Sequence, residues 1–344
     1  MTMKELLKQL CELDGVPGYE DEVREFIEKQ AAPYADEMLV DAVGNLIVFK
    51  KGAKPRKRPL LVMAHMDEVG FLVRDITEDG MLKLAKAGGI DPRVLIGRRM
   101  RVGEQKLPGI ISLKAIHLTT PEERKEAPGL DSLYIDIGCT SREEAEALVT
   151  RGEPAVFDSR FMEFGVDCVK AKAIDDRIGC AVMLELLKND LPYDTYFAFV
   201  VGEEIGSRGA TVAGRRIQPG CVMVIEGTTA ADMPDVAPHK QSCRQRQGAV
   251  VSLMDGDTVY SREFREKMLK AADEKGVKWQ YRKSANGGTD AGVGTTSGPA
   301  ALAFGLSAPV RYIHCACNVA YLPDLEEVRK LAEIVIEEAG ELDV

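Results

Sequence analysis

The chain lacks any apolar run that approaches the roughly 20 residues a membrane-spanning helix requires, so we predict no membrane insertion. Positive charge is also scarce: 45 lysines and arginines stand against 55 aspartates and glutamates, for a formal net charge of −10. Because phosphate backbones and anionic membranes bind basic patches, neither nucleic acid nor a membrane surface is an expected partner. The one basic cluster, residues 50–58, is expected to be a solvated loop.

Paired cysteine motifs are missing as well. The eight cysteines form no CxxC spacing, and residues 1–5 are expected to open an amphipathic helix and not a secretory signal. We therefore predict a cytoplasmic protein with reduced thiols. Only four histidines occur. We expect His117 to be a surface or packed strand residue, and His239 lies in a polar loop that could line a substrate path.

The order of predicted elements indicates an α/β fold with an insertion. A chain of 344 residues favours two domains. Residues up to 69 read as helices and strands, residues 70–164 as short strands separated by turn signals, and residues from 166 onward as alternating strands and helices. We therefore predict a catalytic α/β domain over residues 1–69 and 165–344, interrupted by a β-rich domain over residues 70–164.

Metal-ligand side chains follow apolar runs at several places. Acids, or a histidine with an acid, do so in residues 64–70, 173–179 and 201–206, and Glu226 and His314 each close a further apolar run. Because ligands of open α/β sheets bind at the carboxyl ends of the strands, these side chains are expected to converge. Carboxylates clustered there would repel one another, and a pair of divalent cations is the simplest way to hold them. The pattern favours a two-metal hydrolase, with an aminopeptidase as the leading interpretation.

Each motif also has a plainer interpretation. His65 and Asp67 point to the same side of an extended backbone, either as a metal-bound imidazole with its carboxylate or as a hydrogen-bonded pair at a strand end. One aspartate of Asp175-Asp176 could simply cap a helix, but a second is surplus to capping and could bridge two cations. In Glu203-Glu204, one glutamate could ligate metal while the other moves protons.

The ordered set of motifs resembles that of the M42 metallopeptidases, a group of glutamyl, deblocking and tetrahedral aminopeptidases. The resemblance covers nearly the whole chain. The segments that carry it are His65-Met66-Asp67-Glu68-Val69-Gly70, Ala173-Ile174-Asp175-Asp176-Arg177, Gly202-Glu203-Glu204-Ile205-Gly206-Ser207-Arg208-Gly209-Ala210, Thr228-Thr229-Ala230-Ala231-Asp232, Gly287-Gly288-Thr289-Asp290-Ala291-Gly292 and Arg311-Tyr312-Ile313-His314.

The resemblance implies a zinc-exopeptidase-like α/β domain, with a mixed central sheet and helices on both faces, and an inserted small β-barrel-like domain. It implies two divalent metal ions, zinc before cobalt or manganese, bridged by Asp175. One metal would be held by Glu204 and His314, and the other by His65 and Glu226.

The resemblance also implies how the site works. A hydroxide between the metals would attack the peptide carbonyl with Glu203 as general base, while Asp67 orients His65. The Asp175–Asp176 peptide bond would be cis. The substrates would be peptides with a free amino terminus, and the protein would form homo-oligomers built from dimers, often dodecamers.

Some positions depart from the family pattern. Glu226 stands where many relatives have aspartate, and Cys315-Ala316-Cys317 stands where many have Ser-Pro. These thiols could compete as zinc ligands or simply pack. The stretch 243–248 is unusual for the group. Residues 287–290 are expected to lie beside the metals, because the lysine of a phosphate loop is missing.

Other functions stay open at this point. One is a different metal-dependent amide hydrolase, such as a carboxypeptidase or deacylase, on the same scaffold. A glycosidase would use only the carboxylate pairs and would need neither His65 nor His314. A metal-binding relative without turnover is the remaining alternative, although the glutamate at position 203 argues against it.

Overall fold

The computed structural model describes residues 1–340. Its α-helices are α1 (Met3–Glu12), α2 (Asp21–Ala31), α3 (Arg142–Glu146), α4 (Ile174–Leu186), α5 (Arg208–Ile217), α6 (Arg262–Glu274), α7 (Asp290–Thr296) and α8 (Leu322–Ala339). Its strands are β1 (Glu37–Val40), β2 (Leu46–Lys50), β3 (Leu60–His65), β4 (Gly70–Ile76), β5 (Leu82–Ala87), β6 (Arg99–Val102), β7 (Leu107–Leu113), β8 (Leu133–Asp136), β9 (Pro154–Phe157), β10 (Met162–Phe164), β11 (Cys168–Ala171), β12 (Thr195–Val200), β13 (Cys221–Thr229), β14 (Ala249–Ser252), β15 (Trp279–Arg282), β16 (Leu302–Arg311) and β17 (Asn318–Tyr321). Short 3₁₀ turns cover Pro92–Val94, Ile116–Leu118 and Leu130–Ser132.

A mixed sheet forms the larger body. Its strands lie in the order β1-β2-β12-β3-β13-β16-β17-β11-β10, with β14 paired to β16 and β15 paired to β14. The four central strands, β12, β3, β13 and β16, are parallel, while β1, β2, β17, β11 and β10 pair antiparallel. The carboxyl ends of the four parallel strands therefore share one edge of the sheet.

Helices cover both faces of this sheet because its central strands are apolar on both sides. In β3, Leu60 and Val62 join the core formed with α1, α2, α4, α6 and α8, whereas Leu61 and Met63 pack with Ala210 of α5 and with α7. The α/β fold with helices on both faces is thus confirmed. No helix within the described residues is long and apolar enough to cross a membrane.

The second body is a closed antiparallel barrel. Its strands run in the order β4-β5-β8-β7-β6-β9 and enclose a separate core, in which Phe71 and Phe157 meet edge to face with their ring centroids 6.1 Å apart. This confirms the barrel-like insertion. Strand β10 lies inside the predicted insertion of residues 70–164 but pairs with β11 of the large sheet. The division into domains at residues 69 and 165 stays a prediction.

Two central strands are longer than the sequence indicates. We predict strands over 221–225 and 300–304, but β13 continues to Thr229 and β16 to Arg311. Polar residues such as Glu226 and Thr228 read as strand ends, yet paired strands on both sides keep the backbone extended. Glu226 therefore lies within β13, and His314 follows the end of β16 by three residues.

Candidate metal centre

A cavity of about 530 Å³ opens at the carboxyl edge of the four parallel strands. Residues after β3 and β12, residues within β13 and residues beyond β16 all reach it, because their strands end side by side. All of the predicted metal ligands and the predicted base line this cavity, namely His65, Asp175, Glu203, Glu204, Glu226 and His314.

Asp175 lies between the two imidazoles. Its Oδ1 is 3.8 Å from His65 Nε2, and its Oδ2 is 3.5 Å from His314 Nε2. The two oxygens of one carboxylate thus face two different histidines. This is the arrangement expected of a carboxylate that bridges two cations.

The His314 side of the cavity forms a tight group of potential ligands. His314 Nε2 lies 3.2 Å from Glu204 Oε1, and ligand atoms of Asp175, Glu204 and His314 all fall within 4.8 Å of one another. His314 Nδ1 contacts the Gly89 carbonyl at 2.8 Å, which holds the ring. Among residues 1–340, Glu204 Oε1 is a buried oxygen with no hydrogen-bond partner. Two donor atoms that meet without a hydrogen bond fit a shared cation.

The His65 side of the cavity is organised by Asp67. His65 Nδ1 lies 3.0 Å from the Asp67 carbonyl and 3.5 Å from Asp67 Oδ1. The Asp67 carboxylate also accepts hydrogen bonds from the backbone N–H groups of Glu203 and Glu204, both at 3.0 Å. Asp67 is wholly buried, so it fixes the turn that presents both glutamates to the cavity.

The second group of close ligand atoms differs from the predicted set. It contains His65, Glu203 and Glu204, whereas Glu226 belongs to neither tight group found within the described residues. Glu226 does line the same cavity, and its Oε1 accepts a hydrogen bond from the Asp290 N–H at 3.3 Å. The geometry therefore brings His65 and Glu226 to one cavity without deciding between Glu203 and Glu226 as the second ligand.

The adjacent aspartates have different surroundings. Asp176 Oδ1 accepts from the Gly179 N–H at 2.9 Å, which caps the helix, and its Oδ2 accepts from the His65 N–H at 3.2 Å. Asp175 instead faces the cavity. The backbone at both positions is non-helical, although α4 formally begins at Ile174, and the peptide bond between them is cis, as the family resemblance implies.

Burial and mutual repulsion raise the pKa values of the acids. The pKa of Glu203 lies well above its usual range because the side chain is buried and because Asp290 and Glu204 are near. The pKa of Glu226 is raised by burial and by Glu203. Burial lowers the pKa of His314, but Asp175 and Glu204 outweigh it and raise that pKa to about 11. Such a cluster holds protons until cations replace them, and imidazole with carboxylate ligands suits zinc, manganese or cobalt.

Some residues of the cavity were not predicted. Asp290 is fully buried, neither of its carboxylate oxygens has a hydrogen-bond partner within residues 1–340, and burial raises its pKa to about 7. Its place after the glycines of residues 287–288, which were expected beside the metals, was a usable signal. Asp257 and Arg282 also line the cavity, but nothing in their sequence surroundings marks them.

The remaining candidates lie outside the two tight groups. Cys315 Sγ donates to the Tyr312 carbonyl at 2.9 Å, and Cys317 packs against the core of the barrel. Neither thiol belongs to a ligand group in the described part of the chain. His117 lies in an exposed 3₁₀ turn and not in a strand, and His239 is exposed outside the cavity.

Comparison with known proteins identifies the class. The family described as M42 glutamyl aminopeptidase matches residues 44–331. The lysyl aminopeptidase of Pyrococcus furiosus is 31% identical over 349 residues, covering 98% of each chain. A TET aminopeptidase from the marine sediment archaeon Thaumarchaeota archaeon SCGC AB-539-E09 is 32% identical with a TM-score of 0.94, covering 99% of this chain and 97% of that one.

A third relative bears on assembly. The Pyrococcus horikoshii TET1 peptidase, described as assembling into a tetrahedron or a large octahedral shell, is 33% identical with a TM-score of 0.86. The two chains are covered over 99% and 100% of their lengths. These proteins and the fold around the cavity define a class of metal-dependent peptide hydrolases. The chain belongs to the M42 aminopeptidase family, which confirms the resemblance.

Proposed function

We propose that the protein is a dinuclear metal-dependent aminopeptidase that removes residues from the amino terminus of peptides. The observation that carries this proposal is the position of Asp175, whose two carboxylate oxygens face His65 and His314 separately. Two carboxylates and one imidazole would serve one ion, and the same bridging group would serve a second ion beside the other imidazole.

The proposed ligands divide between two ions, with zinc preferred and cobalt or manganese as alternatives. Asp175 bridges them, Glu204 and His314 complete one site, and His65 and Glu226 complete the other. The contact between His314 Nε2 and Glu204 Oε1 supports the first site. The second assignment rests on the cavity-facing position of Glu226 and on the hydrogen bond that fixes its Oε1.

The reaction needs a proton acceptor beside the ions. When bound, the ions would polarise the peptide carbonyl and lower the pKa of the attacking water. Glu203 accepts the proton of that water and passes it to the leaving amine, and its raised pKa suits such exchange near neutral pH. Asp67 keeps this glutamate in place through its backbone N–H. The free α-amino group of the substrate binds beside the second ion, beside acidic side chains, or beside both.

Location and assembly follow from weaker signals. We propose a cytoplasmic protein, consistent with eight cysteines that are all unpaired. We also propose a homo-oligomer built from dimers, since the related TET1 peptidase assembles into closed shells. Light scattering on the purified full-length protein tests this assembly, and a monomer at micromolar concentration would contradict it.

The function is tested on protein stripped with a chelator and reloaded with zinc, cobalt or manganese. We expect two metal equivalents per chain by elemental analysis and hydrolysis of amino-acid p-nitroanilides and free peptides only after reloading. N-acetylated copies of the same peptides should resist cleavage. Release of carboxy-terminal residues would favour a carboxypeptidase, and cleavage of acyl groups alone would favour a deacylase. Metal binding without hydrolysis of a broad peptide panel would indicate a non-catalytic relative.

A further inference from the structure

One cationic side chain of the cavity has no role in the proposed metal chemistry. Arg282 is the last residue of β15 and lines the same cavity as the metal-ligand residues. Among the cavity-lining residues it is the only arginine, and lysine is missing from that set. A permanent positive charge therefore faces the space where the substrate must lie.

The guanidinium group of Arg282 is largely unused by the protein. Its Nη2 donates to the carbonyl of Asn286, and its Nε is buried without a hydrogen-bond partner in the part of the chain that the structure describes. Arginine carries five N–H donors in a fixed fork, and buried donors of this kind are normally satisfied. The free donors of Arg282 thus fit an acceptor that the chain itself does not supply.

No carboxylate of the described chain neutralises this arginine. Asp257 lines the same cavity, yet the ion pairs within residues 1–340 include none between Asp257 and Arg282. The carboxylate of Asp257 lies instead against Gly288, where an added Cβ would meet it at 1.8 Å. The acids on the other side of the cavity are those assigned to the metals.

The charge of the loaded centre would not repel an anionic substrate. Two divalent ions carry four positive charges, and the three proposed carboxylate ligands carry three negative charges. A carboxylate matches the fork of an arginine with two parallel hydrogen bonds. Aliphatic side chains have little to contact here, since Ile313 is the only large apolar residue that lines the cavity.

We propose that Arg282 is a specificity-determining residue that binds a carboxylate of the substrate. This inference rests on the proposed aminopeptidase function. The carboxylate would come from the side chain of an amino-terminal glutamate or aspartate, or from the carboxy terminus of a dipeptide. In the first case the enzyme prefers acidic amino-terminal residues, and in the second it prefers very short peptides.

The test compares Arg282→Gln and Arg282→Lys with the metal-loaded wild type. Glutamyl and leucyl p-nitroanilides, which lack a terminal carboxylate, probe the side chain. The dipeptide Ala-Ala and its amide probe the carboxy terminus. Because a hydrogen-bonded charge discriminates by about tenfold or more, Arg282→Gln should lower the glutamyl-to-leucyl ratio of kcat/KM, or the dipeptide-to-amide ratio, by at least about tenfold through KM. Arg282→Lys should restore part of it.

Lys283→Gln is the matched control, since it removes one positive charge from an exposed neighbour that does not line the cavity. It should leave both ratios unchanged. If wild type cleaves the substrates but Arg282→Gln leaves both ratios within twofold, the inference is wrong and the proposed function stands. If metal-loaded wild type cleaves none of them, the proposed function fails and the inference fails with it. Far-ultraviolet circular dichroism confirms that the variants are folded.

Discussion

Two clusters of buried charge draw on the same two segments of sequence but differ in how their charges are balanced. Glu68 receives the Lys172 ammonium at 2.5 Å and the Arg177 guanidinium at 3.4 Å, and all three side chains are at most 2% exposed. Its neighbours His65 and Asp67, like Asp175 close to Arg177, belong instead to the acid-rich cavity.

The first cluster is complete without a ligand. The cations beside Glu68 also donate to the backbone carbonyls of Leu13 and Leu10, each at 2.6 Å, and Glu68 Oε1 accepts from the Gly15 N–H. In the metal cavity the acids outnumber the cations, and their pKa values rise. The comparison teaches that a buried acid signals a ligand site only when the chain supplies too few partners for it.

The largest expected effect separates two adjacent glutamates of the cavity. Replacing Glu203 by glutamine removes the proposed proton acceptor but keeps its shape, so kcat should fall by about 10²–10⁴-fold while two metal equivalents remain. Glu204→Gln should instead lose metal, because it removes a ligand of His314's ion. Steady-state kinetics and elemental analysis on the reloaded proteins measure both effects.

The same pair tests the second group of ligand atoms. Glu203 lies within reach of His65 and Glu204, so it could take the place assigned to Glu226. In that case Glu203→Gln would lose one metal equivalent and Glu226→Gln would keep both. Turnover near the wild-type rate in Glu203→Gln would reject its role as base.

The second prediction concerns opposite signs of stability in the two clusters. Glu68→Gln leaves Lys172 and Arg177 buried without their main partner and should lower the free energy of unfolding by about 3–5 kcal/mol. Glu226→Gln removes a carboxylate whose burial raises its pKa, so it should stabilise the metal-free protein at pH 8 by about 1 kcal/mol.

Guanidinium unfolding at one protein concentration, with chelator present, measures both changes. Glu226 Oε1 accepts its hydrogen bond from the Asp290 N–H, and the glutamine oxygen can accept the same bond, so packing is matched. Destabilisation by both substitutions would mean that the cavity acids are balanced within the chain, and the contrast between the clusters would be lost.

The sequence predicted the strand ends well because apolar runs that stop at polar residues mark them. It placed His65, Glu203 and Glu204 correctly at the cavity edge, since β3 and β12 are parallel and His65 pairs with Val200. It could not show that Glu226 lies within a longer strand, because only pairing with β16 extends β13.

Other features depend on contacts between distant segments. Glu68 and Arg177 stand within the motifs that supply His65 and Asp175, and only the direction of each side chain separates structural charge from site charge. Arg282 ends an ordinary strand, and its position in the cavity depends on the pairing of β15 with β14. No local pattern encodes either arrangement.

The third prediction is a pH dependence that metal should reverse. A carboxyl whose pKa is higher in the folded protein stabilises the fold at low pH, and this contribution is lost as pH rises through the folded value, about 7 for the buried Asp290. The raised pKa of His314 acts alike: its stabilisation is full below about 6.5 and is lost toward about 11.

The metal-free protein should therefore lose roughly 1–2 kcal/mol between pH 5 and pH 9. The lowered pKa of Asp175, set by His314 and His65 against its burial, acts only at lower pH. Loaded ions hold the carboxylates charged and the imidazoles neutral, so the stabilisation by metal should grow with pH. Thermal unfolding with chelator or zinc measures this difference, and parallel pH curves would contradict it.

The smallest effect is expected beside His314, where the loop joins the two bodies of the protein. Cys315 bonds to the Tyr312 carbonyl and Cys317 packs on the barrel, so their serine variants should keep two metal equivalents and kcat/KM within about twofold. The Cys315 hydroxyl replacement can make the same bond. Cobalt-loaded wild type should show no thiolate-to-cobalt charge-transfer band. Such a band, lost in either variant together with one metal equivalent, would make a thiol part of the centre and add a second kind of ligand to the acid-rich cluster.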